Sequence, residues 1–454
     1  MSDYGEFLRR KLYRVEPCGF GADPSGNGLY DWQEAIERWA LRIGRAAIFA
    51  DCGTGKTPMQ LVWADRVARH TGRSVLILAP LAVAEQTVAE GRKFDIEVEH
   101  RREGPSRSPI QITNYERLHK FTPAPYGALV LDESSILKNY SGSTRRAITE
   151  FAAGMAYRLA CTATPAPNDY MEIGNHSEFL GVLRRVEMLS QYFVHDGGDT
   201  QKWRLKGHAQ EAFWQWMADW CVALRSPGDI GFRDDRFVLP ALQVHEHVID
   251  APPPDGFLFP VSGQTLAERR AARRASLGGR VARAAELANK SKRPFLCWCN
   301  LNVESKALAD AIPDAVEVTG SDPEEHKVDA MLGFSRGEIR VLVTKPSICG
   351  FGMNWQHCSD MAFVGLSDSY EQYYQAVRRC WRYGQTRPVN AHIVISEAEG
   401  AVRANVLRKE RRAARMFAGL VEHMKLYELG RAPRAISPAG SEAIQIPAWL
   451  GGAA

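Results

Sequence analysis

Ala50–Asp51–Cys52–Gly53–Thr54–Gly55–Lys56–Thr57 is the stretch from which the rest of the chain is read. An apolar run at 46–49 precedes it and reads as a short buried strand. Pro58 and a helical pattern over 59–69 follow it. Strand, glycine-rich turn and helix form the context a phosphate-binding loop needs. Gly53 and Gly55 allow a tight turn with no Cβ in the path of a phosphate. The freed backbone N–H groups, Thr54's among them, and the helix N-terminus then face the anion. Lys56 is placed to reach β- and γ-phosphates, and the Thr57 hydroxyl to hold Mg²⁺. Pro58 falls in the first helical turn, where a missing N–H costs little. In the pattern G-x-x-x-x-G-K-[ST], the first position is Ala50 here.

The 454 residues are enough for two or three domains. An apolar fraction of 45% with 24% charged residues excludes a disordered or fibrous chain. A net charge of +4 does not by itself point to nucleic acid, so the distribution of charge must carry that argument. Nine scattered cysteines, an odd number without a C-x-x-C pair, read as reduced intracellular thiols. Cys297 and Cys299 lie inside an apolar run and are expected in a core. No signal peptide and no apolar run of about 18 residues is seen, so a soluble, cytoplasmic protein with no membrane partner is expected.

Apolar strand-like runs recur at 74–79, 110–113, 128–131 and 157–160, separated by helical patterns. This alternation predicts a parallel α/β sheet with ligands at the strand C-terminal ends. The run 128–131 leads straight into Asp132 and Glu133. Asp132 is suited to the Mg²⁺ shell, and Glu133 to orienting and deprotonating a water. A second α/β unit is expected from runs at 295–299, 315–318, 339–343, 361–364 and 391–395. Between the two units, 183–238 reads as a small helical insertion. Its Phe213, Trp216 and Trp220 fit a core-facing stripe, with base stacking as the alternative. Residues 266–287 read as a basic helix broken at Gly278–Gly279, either a solvated face or a contact to phosphates. Gln375, Arg379 and Arg382 are spaced to share one face of a helix over 370–382.

Taken together these motifs resemble superfamily-two helicase-like ATPases, most closely the Swi/Snf branch, over roughly 29–395. Gln33 matches that family's adenine-reading glutamine, and 50–57 its motif I, where Ala50 is a common departure. Ala79–Pro80 matches motif Ia, Asp132–Glu133 motif II and Thr162–Ala163–Thr164–Pro165 motif III. Ser134–Ser135 stands where a His is common. Gly350–Phe351–Gly352–Met353–Asn354 resembles motif V. The run 375–389, QAVRRCWRYGQTRPV, is similar to motif VI, and its wording selects the Swi/Snf branch. The compact chain looks like phage- or bacteria-encoded members.

The resemblance implies an α/β fold of two tandem RecA-like parallel-sheet lobes with ATP and Mg²⁺ between them. The expected divisions are an N-terminal segment 1–28, a first lobe 29–182, the insertion 183–238, a second lobe 239–431 and a loose tail 432–454. Lys56, Asp132, Glu133, Arg379 and Arg382 would be catalytic, the two arginines acting from the second lobe. Gln33, Gly53, Thr54, Gly55, Lys56, Thr57, Gly352 and Asn354 would bind nucleotide, with Thr57 and Asp132 on the metal. Pro80, Thr113, Asn300 and Lys345, with Arg269, Arg270, Arg273 and Arg274, are the candidate DNA contacts. The expected activity is that of a DNA-dependent ATPase translocating on duplex DNA. An RNA helicase and a non-catalytic ATP-gated loading module are the alternatives.

Overall fold

In the computed structural model, which describes residues 15–80, 83–138, 142–196, 199–234, 237–250, 273–349 and 353–426, the apolar runs become strands. The first six are β1 (Arg45–Ala50), β2 (Ser74–Ala79), β3 (Val98–His100), β4 (Ile110–Asn114), β5 (Tyr126–Asp132) and β6 (Tyr157–Cys161). A hairpin of β7 (Phe193–Asp196) and β8 (Asp199–Leu205) follows, and then β9 (Cys221–Leu224). Seven of these form a sheet in the order β3-β4-β2-β5-β6-β1-β9, with every pairing parallel. Strands buried on both faces read as continuous apolar runs.

Residues 183–238 carry two helices, Arg185–Tyr192 and Gln210–Ala218, together with the hairpin and β9. β9 is only four residues long, which is why it is inconspicuous in the sequence, yet it extends the first sheet beside β1. Phe213, Trp216 and Trp220 are buried in the first core, which settles the aromatic stripe as packing and not a stacking platform.

The second sheet contains β10 (Leu242–Ile249), β11 (Phe295–Cys299), β12 (Ala315–Glu317), β13 (Val341–Thr344), β14 (Asp360–Val364) and β15 (Val389–Ser396). Its order is β10-β15-β14-β11-β13-β12, again all parallel. The strand period of two divides its apolar side chains between two cores. Leu296 and Trp298 face one, while Phe295, Cys297 and Cys299 face the other. That places both cysteines in packing, as their surroundings in the sequence indicated. Two RecA-like parallel-sheet lobes are thus the architecture. Among the described residues no helix is long and apolar enough to cross a membrane, and no cluster of His, Cys, Asp and Glu could hold a metal by itself.

Two sequence expectations need correction. The helix Leu277–Lys290 runs through Gly278–Gly279 without a break. A Cβ on Gly279 would lie 2.6 Å from Ile249 Cγ2, so this glycine lets helix and strand β10 approach closely. The second correction concerns the helix Tyr370–Val377, which ends before Arg379 and Arg382. Those two arginines sit on the tight turns that follow, held by bonds such as Arg379 N to Ala376 O at 3.3 Å.

The helix Asp31–Ile43 buries a carboxyl group beside Arg66 of the helix Lys56–Thr71. Glu37 is fully buried, and burial pushes its pKa up to about 8. Arg66 lies 3.4 Å from Glu37 but also 3.6 Å from Glu34, so its opposing pull is shared and burial prevails. A carboxyl whose folded pKa exceeds its unfolded value favours the fold while protonated. This contribution is complete below about pH 4.5 and is lost as pH rises through about 8. Glu37→Gln, which keeps the shape without the charge, should therefore be more stable than wild type at alkaline pH. The gain should be a few kcal/mol, with about 5 kcal/mol as its ceiling well above pH 8. Thermal unfolding across the pH range checks this, and equal pH slopes for both proteins would refute it.

Candidate functional site

Three neighbouring strands of the first sheet deliver the loop and the acidic pair to one place. β6 lies between β5 and β1, with Cys161 paired to Asp132 on one side and to Ile48 on the other. The ends of β1, β5 and β6 therefore present the loop at 50–57, Asp132–Glu133 and Thr162 side by side. Gly53 and Gly55 adopt φ of +84° and +77°, in the left-handed region where a side chain is unfavourable. A Cβ on Gly55 would also collide with the Gln33 amide.

Gln33 is engaged on both sides. Its Nε2 donates to Thr54 O at 3.0 Å, and its Oε1 accepts from Tyr30 N at 3.1 Å. It therefore braces the loop against the first helix. Lys56 folds back on its own loop, donating to Ala50 O at 2.8 Å and Asp51 O at 3.1 Å. Thr54 Oγ1 donates to Asp51 O at 2.6 Å. Thr57 is partly exposed in the first turn of the helix Lys56–Thr71.

Asp132 accepts a hydrogen bond from Gln60 Nε2 at 2.9 Å, and Tyr115 OH donates to its main-chain carbonyl at 2.7 Å. Burial raises its pKa and the Glu133 charge adds to this, while Gln60, Lys56 and Arg379 oppose it. Glu133 has φ of +61°, rare for a residue with a side chain. Its carboxylate accepts from Thr162 Oγ1 and, at 3.1 Å, from Ser135 Oγ. Thr162 Oγ1 in turn accepts from Thr164 N at 3.0 Å. The acidic pair and the Thr162–Thr164 stretch are thereby joined directly. The imidazole near this point comes from His176, 3.1 Å from Ser134 Oγ and kept neutral because burial lowers its pKa to about 4.

The second lobe meets this site through the residues around Arg379. Arg379 donates to Met353 O at 2.9 Å, Gln375 O at 3.1 Å and Gln375 Oε1 at 2.9 Å. Arg382 donates to Met353 O at 3.4 Å. Among the described residues no carboxylate is in ion-pair range of either guanidinium. Burial lowers the pKa of both, that of Arg382 to about 10. A Cβ on Gly53 would lie 3.4 Å from Arg382 Cβ and 3.3 Å from Tyr383 N, so the loop and the turn carrying Arg382 are in contact across the lobes. A buried excess of positive charge beside a glycine-rich loop suits a phosphoryl group. The donor set at Thr57 and Asp132 suits a hard oxygen-seeking cation such as Mg²⁺. Asn354 is exposed next to Met353, and Gly352 lies outside the described residues.

Further cross-lobe contacts were not read from the sequence. Arg378 is fully buried and forms an ion pair with Asp51 of the loop, whose other oxygen accepts from Tyr374 OH. Lys138 pairs with Glu371, and Tyr383 OH donates to Arg225 O. Gln60 and Tyr374 had a signal available: they lie four residues from Lys56 and Arg378, one helical turn away.

The candidate DNA contacts separate into groups. Arg274, Asn300 and Lys345 line an open cleft of about 750 Å³ in the second lobe, formed where β11, β13 and β14 end. Arg273 also borders it, but its guanidinium is committed to Glu399 at 2.8 Å and to Leu366 O. Arg280 from the same basic stretch is fully buried against Glu304 at 2.7 Å. The basic run is thus partly an internal ion-pair network through Arg273 and Arg280, an arrangement that neither a solvated face nor a phosphate contact describes. Pro80 follows β2, beside the end of β4. Thr113 in β4 is fully buried, which corrects its placement as a surface contact: in a strand covered on both faces its side chain points into the packing. Arg269 and Arg270 lie outside the described residues.

Residues 280–384 match the family of the Helicase conserved C-terminal domain. This span runs from the helix Leu277–Lys290 through β14 to the turns carrying Arg379 and Arg382. No curated protein matches the chain. The match lies within the second lobe, and the two parallel-sheet lobes are consistent with a helicase-like arrangement.

Proposed function

We propose that this protein is an ATP-hydrolysing motor of the Swi/Snf branch that translocates on duplex DNA and remodels or unwinds it. One observation carries the reading: the loop with Lys56, Asp132 and Glu133 sits on one sheet, while from the other Arg382 packs against the loop at Gly53 and Arg379 lies near enough to act electrostatically on Asp132. Neither lobe alone holds a complete site, so turnover depends on how the lobes sit together. We take 29–182 as the ATP-binding lobe, extended by β9 from the insertion, and 239–431 as the second lobe, whose last helix returns to the first core.

ATP is the substrate in this reading. Lys56, now on its own loop carbonyls, exchanges them for the β- and γ-phosphates. Glu133, oriented by Thr162 and Ser135, takes the proton of the attacking water. Arg379 and Arg382 stabilise charge on the transferred group. Thr57 and Asp132 would hold Mg²⁺, which supplies neutralisation of phosphate charge when bound. Arg274, Asn300 and Lys345 offer donors to a phosphodiester backbone. A translocating motor also needs a path from cleft to nucleic acid, and strand ends in both lobes serve as that path.

Steady-state ATP turnover without nucleic acid, and with duplex DNA, single-stranded DNA or RNA, tests the proposal. Stimulation by duplex DNA above the other additions is expected. Stronger stimulation by RNA would favour an RNA helicase, and none by any polymer would overturn the motor reading.

A further inference from the structure

Asp51 places a carboxylate on the loop proposed to receive a polyanion. A negative charge there repels phosphates unless it is compensated. Its compensation comes from the opposite lobe. Arg378 Nη2 pairs with Asp51 Oδ2 and lies 3.3 Å from Cys52 O. Asp51 Oδ1 accepts from Tyr374 OH and from Cys52 N at 2.6 Å. The Arg378 guanidinium is stacked 4.7 Å from the Trp381 ring, with Nε and Nη1 unpartnered. A fully buried arginine with spare donors is costly to hold unless its charge is used.

We infer that Arg378 is a positioning residue which neutralises Asp51 and thereby makes ATP affinity depend on closure of the two lobes. When the lobes part, Arg378 leaves with the second lobe and Asp51 is left with the Cys52 N–H but without its cationic partner beside the phosphate site. When they close, the repulsion is removed and the spare Arg378 donors come near the loop. Arg379 and Arg382 act on the reacting group, whereas Arg378 acts on the loop through Asp51. The inference rests on the proposed nucleotide site and adds a coupling that the motifs alone do not contain.

The test is a double-mutant cycle with Arg378→Met, Asp51→Asn and the two combined. Equilibrium binding of a fluorescent ATP analogue is measured without nucleic acid, and kcat and KM with duplex DNA. Arg378→Met should weaken ATP binding by about tenfold or more and raise KM, with a smaller change in kcat. Asp51→Asn in the Arg378→Met background should restore binding to within about threefold of wild type, because the unpaired carboxylate is gone. A purely structural role would leave the double variant as weak as Arg378→Met, and that result overturns the inference. So does unchanged affinity in Arg378→Met. Should Arg378→Met fail to fold, Asp51→Asn alone decides: tighter ATP binding is expected, and unchanged or weaker binding overturns the inference. A wild-type protein that binds no ATP would instead remove the nucleotide site itself, a separate outcome.

Discussion

Arg379→Ala should abolish most of the nucleic-acid-stimulated ATP turnover while leaving ATP and DNA binding largely intact. An arginine that stabilises the transferred phosphoryl group contributes on the order of 10³ to 10⁵ in rate. In this structure Arg379 is buried and bonded only to Met353 O and to Gln375, so its charge has no carboxylate partner among the described residues. Substituting it removes the positive charge that faces the loop without breaking a salt bridge. The Asp51–Arg378 pair remains to hold the lobes in register. The readout is kcat with and without saturating duplex DNA, beside direct binding of nucleotide and DNA. Full stimulation in the variant would remove the role proposed for Arg379. Loss of nucleotide binding would show that the residue holds the loop instead.

The long helix Gly400–Leu426 bears on how far the lobes can move. Val402 and Val406 belong to the core of the second lobe, whereas Met416, Phe417 and Leu420 pack into the core of the first. Between them, Arg412 pairs with Asp169 at 2.6 Å, and Lys409 reaches Asn168 Oδ1 at 2.9 Å and Asp368 O at 2.8 Å. Opening the cleft strains or breaks these contacts, so the helix acts as a restraint on lobe separation. Small rotations that exchange polar contacts are cheaper than extracting three apolar side chains from a core.

The strands were legible because burial on both faces leaves an apolar run, and the loop because phosphate chemistry constrains consecutive residues. Asp132 and Glu133 were legible for the same reason, standing at the end of such a run. What could not be read depends on the docking of the two lobes. The Asp51–Arg378 pair joins positions 327 residues apart, and no local pattern reports it. Arg273 and Arg280 look like surface charge until Glu399 and Glu304 are brought against them. β9 was hidden by its brevity, and the uninterrupted helix at Gly279 by a close contact with Ile249 that only tertiary packing creates.

Glu133→Gln should lower kcat by roughly 10² to 10⁴ while ATP still binds, trapping the nucleotide-bound state. The glutamine keeps the side chain's length and can still accept from Thr162 and Ser135, so the site should retain its shape. What it loses is the capacity to take a proton. The left-handed φ of Glu133 sharpens the expectation. A non-glycine residue there costs on the order of 1 kcal/mol, so a glycine would relieve strain but lose the carboxylate. Glu133→Gly should thus be no less stable than Glu133→Gln and equally slow. Thermal unfolding and single-turnover hydrolysis of both variants separate the two properties. Because Thr162 Oγ1 donates to this carboxylate, Thr162→Val should lower kcat with little change in ATP affinity, by less than Glu133→Gln does. Normal turnover in Glu133→Gln would show that another group activates the water. The left-handed backbone would then be left without a catalytic explanation.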